Sequence, residues 1–129
     1  MTVNCLVNDM LCRLRNGITR RLLSVKVLKS KYCISLLKLF VSRGLIRYLD
    51  SSDKYYIDVG LKYVRNKSVI RVIENVSTPS RRHHVCVSKL RKRYPSGCFV
   101  VVSTKKGLML REQALNCNIG GMVVCIIYF

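Results

Sequence analysis

The chain has 129 residues and carries 24 Lys and Arg against six Asp and Glu, a formal charge of +18, although half of its residues are hydrophobic. A positive charge of this size repels itself and favours a polyanionic partner, so the composition indicates a nucleic-acid-binding protein; disorder is excluded because apolar residues are abundant. The longest apolar run, residues 122–129, is far shorter than the roughly 18 residues of a membrane span, so we expect no such span.

The first third of the chain predicts a helix, a strand and a second helix. Apolar residues recur at helical spacing over residues 3–16, and Gly17 is expected to end this helix because Gly readily adopts left-handed backbone. Residues 23–27 alternate in the pattern of a half-buried strand. Ser30 is a suitable N-cap for the second helix, which Gly44 is expected to end.

An antiparallel hairpin is predicted next. Residues 45–49 and 55–63 favour two strands, and the acidic cluster between them is typical of a turn. After a polar connector, residues 69–76 favour another strand. Helices, strands and a hairpin in this order are typical of a compact mixed unit.

Short strands dominate the second half of the chain. A basic helical turn is predicted over residues 88–93 with Ser88 as its cap, and a buried strand over residues 99–103. A short helix is predicted after Gly107, although no suitable cap residue precedes it. The continuously apolar residues 122–129 require cover on both faces or a central place in a sheet.

Together these elements predict an α+β fold with two small subdomains. Residues 1–65 are expected to form an N-terminal α-β-α-β-β unit. Residues 66–129 are expected to form a C-terminal, mostly β unit with short helices, which contains the principal RNA-binding loop.

The residues that metal and acid–base chemistry require are not clustered. The seven cysteines lack a C-x-x-C pair and zinc-site spacing, so we interpret them as small buried hydrophobic residues in a reducing compartment. His83 and His84 have no Cys or carboxylate at ligand spacing. The acids are scattered and supply no catalytic pair. We therefore expect no metal, no cofactor and no enzymatic activity.

The most specific candidate for RNA contact follows the strand at residues 99–103. Two hydroxyls, two ammonium groups and a glycine stand in sequence there, and a glycine pair follows after twelve intervening residues: Ser103, Thr104, Lys105, Lys106, Gly107, Gly120 and Gly121. A rigid strand ending in such groups suits sugar edges and phosphates, and glycine permits close approach of backbone. An ordinary polar hairpin turn collects the same residue types, and that alternative stays open.

The first helix supplies a second candidate. Arg13 and Arg20 lie about two turns apart, with Arg15 and Asn16 between them, so several donors could meet one phosphate backbone. A solvated basic helix face would have the same composition, and this alternative also stays open.

These segments resemble the small-subunit ribosomal protein eight family nearly from end to end. The likeness is carried by D-M-L-C-R-L-R-N-G at residues 9–17, L-K-Y at 61–63, V-S-T-P at 76–79, S-T-K-K-G at 103–107 and N-I-G-G-M-V-V-C at 118–125. The resemblance implies a primary binder of small-subunit ribosomal RNA that docks on the central domain and holds neighbouring RNA helices together during assembly.

By the same resemblance, Ser103, Thr104 and Gly107 represent the family's Ser-Thr-Ser-x-Gly loop, which is expected to contact the RNA minor groove and backbone. Lys105 replaces the second Ser, an exchange that should add salt-dependent attraction and reduce selectivity. Met122 stands where the family usually has Glu after the glycine pair, so an acceptor for a ribose or base edge is missing.

The remaining inherited positions concern the helix and one loop. The helix motif carries over as Arg13, Arg15 and Asn16. His84 stands at a position where the family has Tyr, and it could stack on a base less broadly. The loop with Arg81 and Arg82 is expected to add electrostatic attraction.

We therefore predict a structural constituent of the small ribosomal subunit that binds ribosomal RNA and supports subunit assembly and translation. Its expected partners are this RNA and neighbouring small-subunit proteins, with no small-molecule substrate. Charge alone also permits a basic DNA-binding or packaging protein. A thiol enzyme that uses Cys86 near His84 would need a thiol pKa far below the free value of about 8.5.

The compartment is predicted from composition. High Leu, Ile, Val, Phe and Cys content, with an intact family motif beginning at residue 9, is typical of a ribosomal protein made inside an organelle, and the mitochondrial matrix is the first choice. A plastid or the bacterial cytoplasm is the alternative.

Overall fold

A computed structural model of the chain describes residues 3–77, 83–93 and 98–129. Contacts between residues divide the chain into two compact units, Met1–Arg71 and Val72–Phe129. Both units combine helices with antiparallel strands, which confirms the predicted α+β class. The subdomain boundary at residue 65 stays a prediction.

The first unit follows the predicted order of helix, strand, helix and hairpin. Its three main strands form an antiparallel sheet in the order β1-β3-β2, and β4 pairs separately with β5. In chain order the elements are α1 (Val3–Thr19), β1 (Ser24–Leu28), α2 (Lys31–Ser42), β2 (Ile46–Asp50), β3 (Tyr56–Leu61), β4 (Tyr63–Val64) and β5 (Lys67–Ser68).

The core of the first unit is built from the apolar faces of its helices and sheet. Helix α1 packs against β1 and α2, and α2 packs against β2. Side chains at helical spacing on α1 and α2 are buried together with alternate residues of β3, and the largest fully buried side chains include Met10, Leu11, Leu14, Leu36, Leu37, Phe40, Ile57 and Leu61. Each fully buried aliphatic side chain contributes about 1.5 to 3 kcal/mol, so this core anchors the unit.

Both predicted ends of α2 are confirmed. The Ser30 side chain accepts a hydrogen bond from the Cys33 N–H at 3.1 Å, as an N-cap should. At the other end Gly44 has φ +72°, and the N–H groups of Gly44 and Leu45 donate to the last turn of the helix.

The predicted end of α1 is wrong. The helix continues through Gly17 to Thr19, and Arg21 is the residue in left-handed backbone, with φ 55°. Gly17 is buried, and a Cβ there would lie 2.4 Å from Val25 Cγ2. Glycine at this position therefore permits close contact between α1 and β1, and it does not end the helix.

The second unit is a sheet whose central strand is β10. The strand order is β6-β10-β8-β9, with β7 also paired to β10, and every pairing is antiparallel. The central place predicted for the apolar C-terminal strand is confirmed. The elements are β6 (Val72–Asn75), β7 (His84–Val85), α3 (Val87–Arg93), β8 (Cys98–Thr104), β9 (Gly107–Leu110), α4 (Arg111–Asn116) and β10 (Gly121–Tyr128).

Helices α3 and α4 cover one face of this sheet. Leu90 of α3 and Ala114 of α4 are fully buried in a cluster with side chains of β7, β8 and β10. Arg111 joins the two helices, because its guanidinium donates to the carbonyl oxygens of Leu90 at 2.8 Å and Arg91 at 3.0 Å. This arginine therefore has a structural role in the basic chain.

One predicted helix cap is wrong. Helix α3 begins at Val87, so Ser88 lies in its first turn and is not the cap. The short helix predicted after Gly107 is confirmed as α4, which begins at Arg111 after β9 and has no conventional cap residue. Gln113 Oε1 accepts from the Leu110 N–H at 3.1 Å, which supplies the hydrogen bond that no conventional cap residue provides.

Six of the seven cysteines have side chains that the structure describes, Cys5 being outside them, and these six fall into two groups. Cys33, Cys98 and Cys125 are buried free thiols, as the sequence predicted. Cys12, Cys86 and Cys117 are exposed, so the interpretation as buried residues is wrong for them. Burial raises the pKa of Cys125 to about 12, which keeps this thiol protonated and unreactive.

We expect Gly17→Ala to destabilise the first unit by about 1 to 3 kcal/mol, because the added methyl group overlaps the stiff Val25 side chain. The steric cost of the overlap exceeds the gain in helix propensity, which is about 1 kcal/mol, so the net effect is destabilising. Urea unfolding measures the difference, with Ser35→Ala on the exposed face of α2 as a propensity control. A more stable Gly17→Ala variant would show that the helix–strand contact is looser than described.

We expect iodoacetamide at pH 8 to modify Cys12, Cys86 and Cys117 in the folded protein and to spare Cys33 and Cys125. Only a thiolate reacts, and burial raises the pKa of both protected thiols. Peptide mass spectrometry of native and urea-unfolded samples measures each site. Equal modification of Cys125 and Cys117 in the native sample would contradict the burial of β10.

Candidate nucleic-acid interface

The hairpin between β8 and β9 presents two cations on a fixed turn. Thr104 pairs with Gly107, and Lys105 and Lys106 form the exposed connection between them. The Thr104 hydroxyl donates to the Gly107 carbonyl at 2.9 Å and accepts from the Lys106 N–H at 3.2 Å. Gly107 has φ +111°, a conformation that glycine adopts readily. The segment is a polar hairpin turn whose internal hydrogen bonds hold the lysines outward, and its contact with RNA stays a prediction.

The glycine pair, Gly120 and Gly121, permits close packing between this hairpin and the neighbouring strands. A Cβ on Gly121 would lie 2.3 Å from the Ser103 carbonyl oxygen, and one on Gly120 would lie 2.7 Å from the Val85 carbonyl oxygen. Both are backbone atoms, which cannot yield as a flexible side chain does. The glycines therefore allow β10 to approach β8 and the end of β7 closely.

Strand register brings three of the key positions into one row. Met122 of β10 pairs with Ser103 on one side and with His84 on the other. Paired residues of neighbouring strands project from the same face of a sheet, so a hydroxyl, a thioether and an imidazole stand side by side. His84 is exposed and Ser103 is partly buried. The row places Met122, where the family has Glu, between two groups that can bind RNA.

Ser77 anchors the chain on both sides of a basic segment. This buried hydroxyl donates to the Val123 carbonyl oxygen and accepts from the His83 N–H at 3.0 Å. The sequence contained the surrounding V-S-T-P motif, but only burial distinguishes Ser77 from an ordinary loop serine. Arg81 and Arg82, predicted to contact RNA, lie outside the described residues.

The predicted residues of α1 have unequal freedom to meet a ligand. Arg13 forms an ion pair with Asp9 at 3.0 Å and donates to the Lys26 carbonyl oxygen at 3.2 Å, so it is engaged within the first unit. Arg15, Asn16 and Arg20 are exposed. The structure thus places the predicted site residues on two separate units, with Arg15 and Asn16 exposed on α1 and Arg20 exposed directly after it.

The thiol-enzyme alternative depended on Cys86 lying near His84. Cys86 Sγ lies 3.2 Å from Ser88 Oγ, and this contact, with the Lys89 N–H, lowers the pKa of the thiol. Its hydrogen-bond partner is therefore Ser88, and the proposed pairing with His84 is not observed. Within residues 3–77, 83–93 and 98–129, no group of three or more His, Cys, Asp or Glu side chains could hold a metal ion. No helix in this described part is long and apolar enough to span a membrane.

Comparison with known proteins identifies the family. The chain matches the model of ribosomal protein S8 over residues 6–128. It is 37% identical over 131 residues to small ribosomal subunit protein uS8 of Campylobacter lari, covering 98% of this chain and 99% of that protein. The uS8 proteins of Rhizobium etli and Wolinella succinogenes are 37% and 36% identical, covering 99% and 98% of this chain and 100% and 99% of those proteins. As its motifs indicated, the chain belongs to the ribosomal protein S8 family.

Proposed function

We propose that this protein is a structural constituent of the small ribosomal subunit that binds the central domain of ribosomal RNA and supports subunit assembly and translation. The observation that carries the proposal is the hairpin of β8 and β9, whose internal hydrogen bonds fix two lysines at an exposed turn beside Ser103. The small-subunit proteins to which the chain is similar align with it over nearly the whole of both chains. A rigid, cationic turn suits an RNA backbone because its geometry is set before binding.

In this proposal the residues of the second unit divide the work. Lys105 and Lys106 bind phosphates, and Ser103 donates to a ribose 2′-hydroxyl or backbone oxygen. Thr104 shapes the turn through its hydroxyl, and His84 stacks on a base or sugar. Gly120 and Gly121 permit the close approaches on which this arrangement depends, and Gly107 supplies the positive φ of the turn.

The first unit adds phosphate contacts in this proposal. Arg15, Asn16 and Arg20 face the RNA backbone, and Arg13 holds the helix to β1 while its charge adds to the field. Arg81 and Arg82 add attraction from the second unit. Selectivity then comes from the shape of an irregular RNA helix and its 2′-hydroxyls, since phosphate contacts carry no sequence information.

The proposal includes a non-catalytic role without cofactor, and two subdomains that correspond to the compact units. It also includes neighbouring ribosomal proteins as partners, for which exposed Val72 and Phe129 at the end of the second unit offer apolar surface. We place the ribosome in the mitochondrial matrix, on the Cys-rich, apolar composition and the free thiols. The named relatives are bacterial, so subcellular fractionation must separate this choice from a plastid or a bacterial cytoplasm.

We expect Lys105→Ala/Lys106→Ala to weaken binding to a central-domain transcript of small-subunit RNA from the organism that encodes the chain. Each lost phosphate contact lowers the magnitude of the slope of log affinity against log salt by about 0.7 to 0.9, so the loss of two contacts should lower it by about 1.4 to 1.8. Filter binding at salt concentrations from about 50 to 300 mM measures the slope. Lys38→Ala, on the exposed face of α2, is the charge control. An equal loss in the control, or equal competition by duplex DNA, would favour general charge over the proposed site.

We expect Ser103→Ala/Thr104→Ala to lose a localised set of protected nucleotides while the fold is retained. Ser103→Ala removes a hydroxyl that is proposed to contact RNA, and Thr104→Ala loosens the turn by removing its hydrogen bond to Gly107. Hydroxyl-radical footprinting of the same transcript measures the protections, and circular dichroism checks the fold. Thr104→Ser keeps the hydroxyl and should keep the footprint. Protections that survive the double substitution would remove the hairpin from the centre of the proposal.

A further inference from the structure

The first unit contains a basic depression that no sequence motif indicated. It has a volume of about 330 Å³ and lies where the end of α1 meets the β4–β5 hairpin. We call it the Arg21 groove, and its polar lining is Arg21, Tyr63, Asn66, Lys67, Ser68 and Arg71. A smaller depression of about 250 Å³ shares Arg21, Tyr63 and Asn66 with it and reaches Leu23.

The groove concentrates positive charge. Arg21, Lys67 and Arg71 are all exposed, and no acidic residue belongs to its lining among the residues that the structure describes. Three cations around one depression repel each other unless an anion lies between them. The lining is therefore complementary to phosphate.

Two residues that line the groove occupy left-handed backbone, the region that favours glycine. Arg21 follows α1 with φ 55°, and the N–H groups of Leu22 and Arg21 donate to Gly17 and Ile18 as in a Schellman motif. Asn66 has φ 63° in the two-residue turn of the β4–β5 hairpin, where Asn is a usual residue. An arginine in a position that glycine adopts more readily, at the edge of a groove with two further cations, points to an anionic ligand.

Tyr63 provides an apolar wall with its polar end already bonded. Its hydroxyl donates to the Leu22 carbonyl oxygen at 2.7 Å, which ties the hairpin to the end of α1. The ring is partly exposed and lines the groove. An aromatic face beside cations suits a ribose or an unstacked base whose phosphate the cations bind.

We infer that the Arg21 groove is a second RNA-docking site, which holds the phosphate and sugar of a nucleotide outside the segment bound by the β8–β9 hairpin. This inference rests on the proposed function and extends it to a site on the other unit. Arg21 and Lys67 supply charge from two sides, and Asn66 can donate to a phosphate or ribose oxygen. The groove gives the first unit a shaped RNA-binding surface in addition to the exposed residues of α1.

The test uses Arg21→Gly, which removes the charge while placing the preferred residue in the left-handed position. We expect unchanged or higher thermal stability and roughly tenfold weaker binding to the central-domain transcript, with a salt slope lower by about 0.7 to 0.9. Asn118→Gly is the matched control, because Asn118 ends α4 with φ 56° and the same hydrogen bonds. It should leave RNA binding unchanged.

Footprinting separates this inference from the proposed function. Arg21→Gly and Lys67→Ala/Arg71→Ala should each lose protections at nucleotides that the Lys105→Ala/Lys106→Ala variant still protects. If both groove variants bind and protect as the parent protein does, the groove is not an RNA site and the proposed function stands. If the parent protein protects no nucleotides in the transcript, the proposed function fails and this inference fails with it.

Discussion

The pairing of β10 with β7 on one side and β8 on the other is the interaction on which the second unit and its candidate site depend. It buries the apolar strand at the centre of the sheet and brings His84, Met122 and Ser103 into one row. The contact requires Gly121, because a side chain there would strike the Ser103 carbonyl oxygen. The glycine pair is therefore part of the site through the geometry that it permits in the protein.

A net charge of +18 is compatible with this fold because the cations lie at turns, helix ends and exposed faces. The hairpin lysines at 105 and 106 stand at one turn, and Arg65 stands at another. Some cations serve the fold instead, as Arg111 does by donating to the end of α3. Repulsion among the exposed cations weakens the isolated protein, and an anionic partner relieves it.

Sequence patterns predicted the elements whose stability is local. Ser30 and Gly44 delimit α2 through short-range hydrogen bonds, and the apolar run of β10 required a central position. The end of α1 was not predictable, because Gly17 permits close packing against Val25, and that contact forms only in the folded unit. The Arg21 groove was hidden for the same reason, since its lining comes from segments over forty residues apart, as the bond between Tyr63 and Leu22 shows. Motif resemblance identified the family and the hairpin, but not which hydroxyl holds the turn.

If the hairpin binds RNA as proposed, the hydrogen bonds of Thr104 limit how it can discriminate between RNA sites. Because that hydroxyl is committed to Gly107 and Lys106, the side-chain hydroxyl left for directional contact in the loop is that of Ser103. Lys105 then adds charge where the family supplies a second serine, and charge attracts every phosphate alike. Recognition must therefore depend on the shape of the turn and on additional contacts elsewhere. A second docking site on the first unit would add a geometric constraint on the RNA and so recover the selectivity that is lost where Lys105 replaces serine.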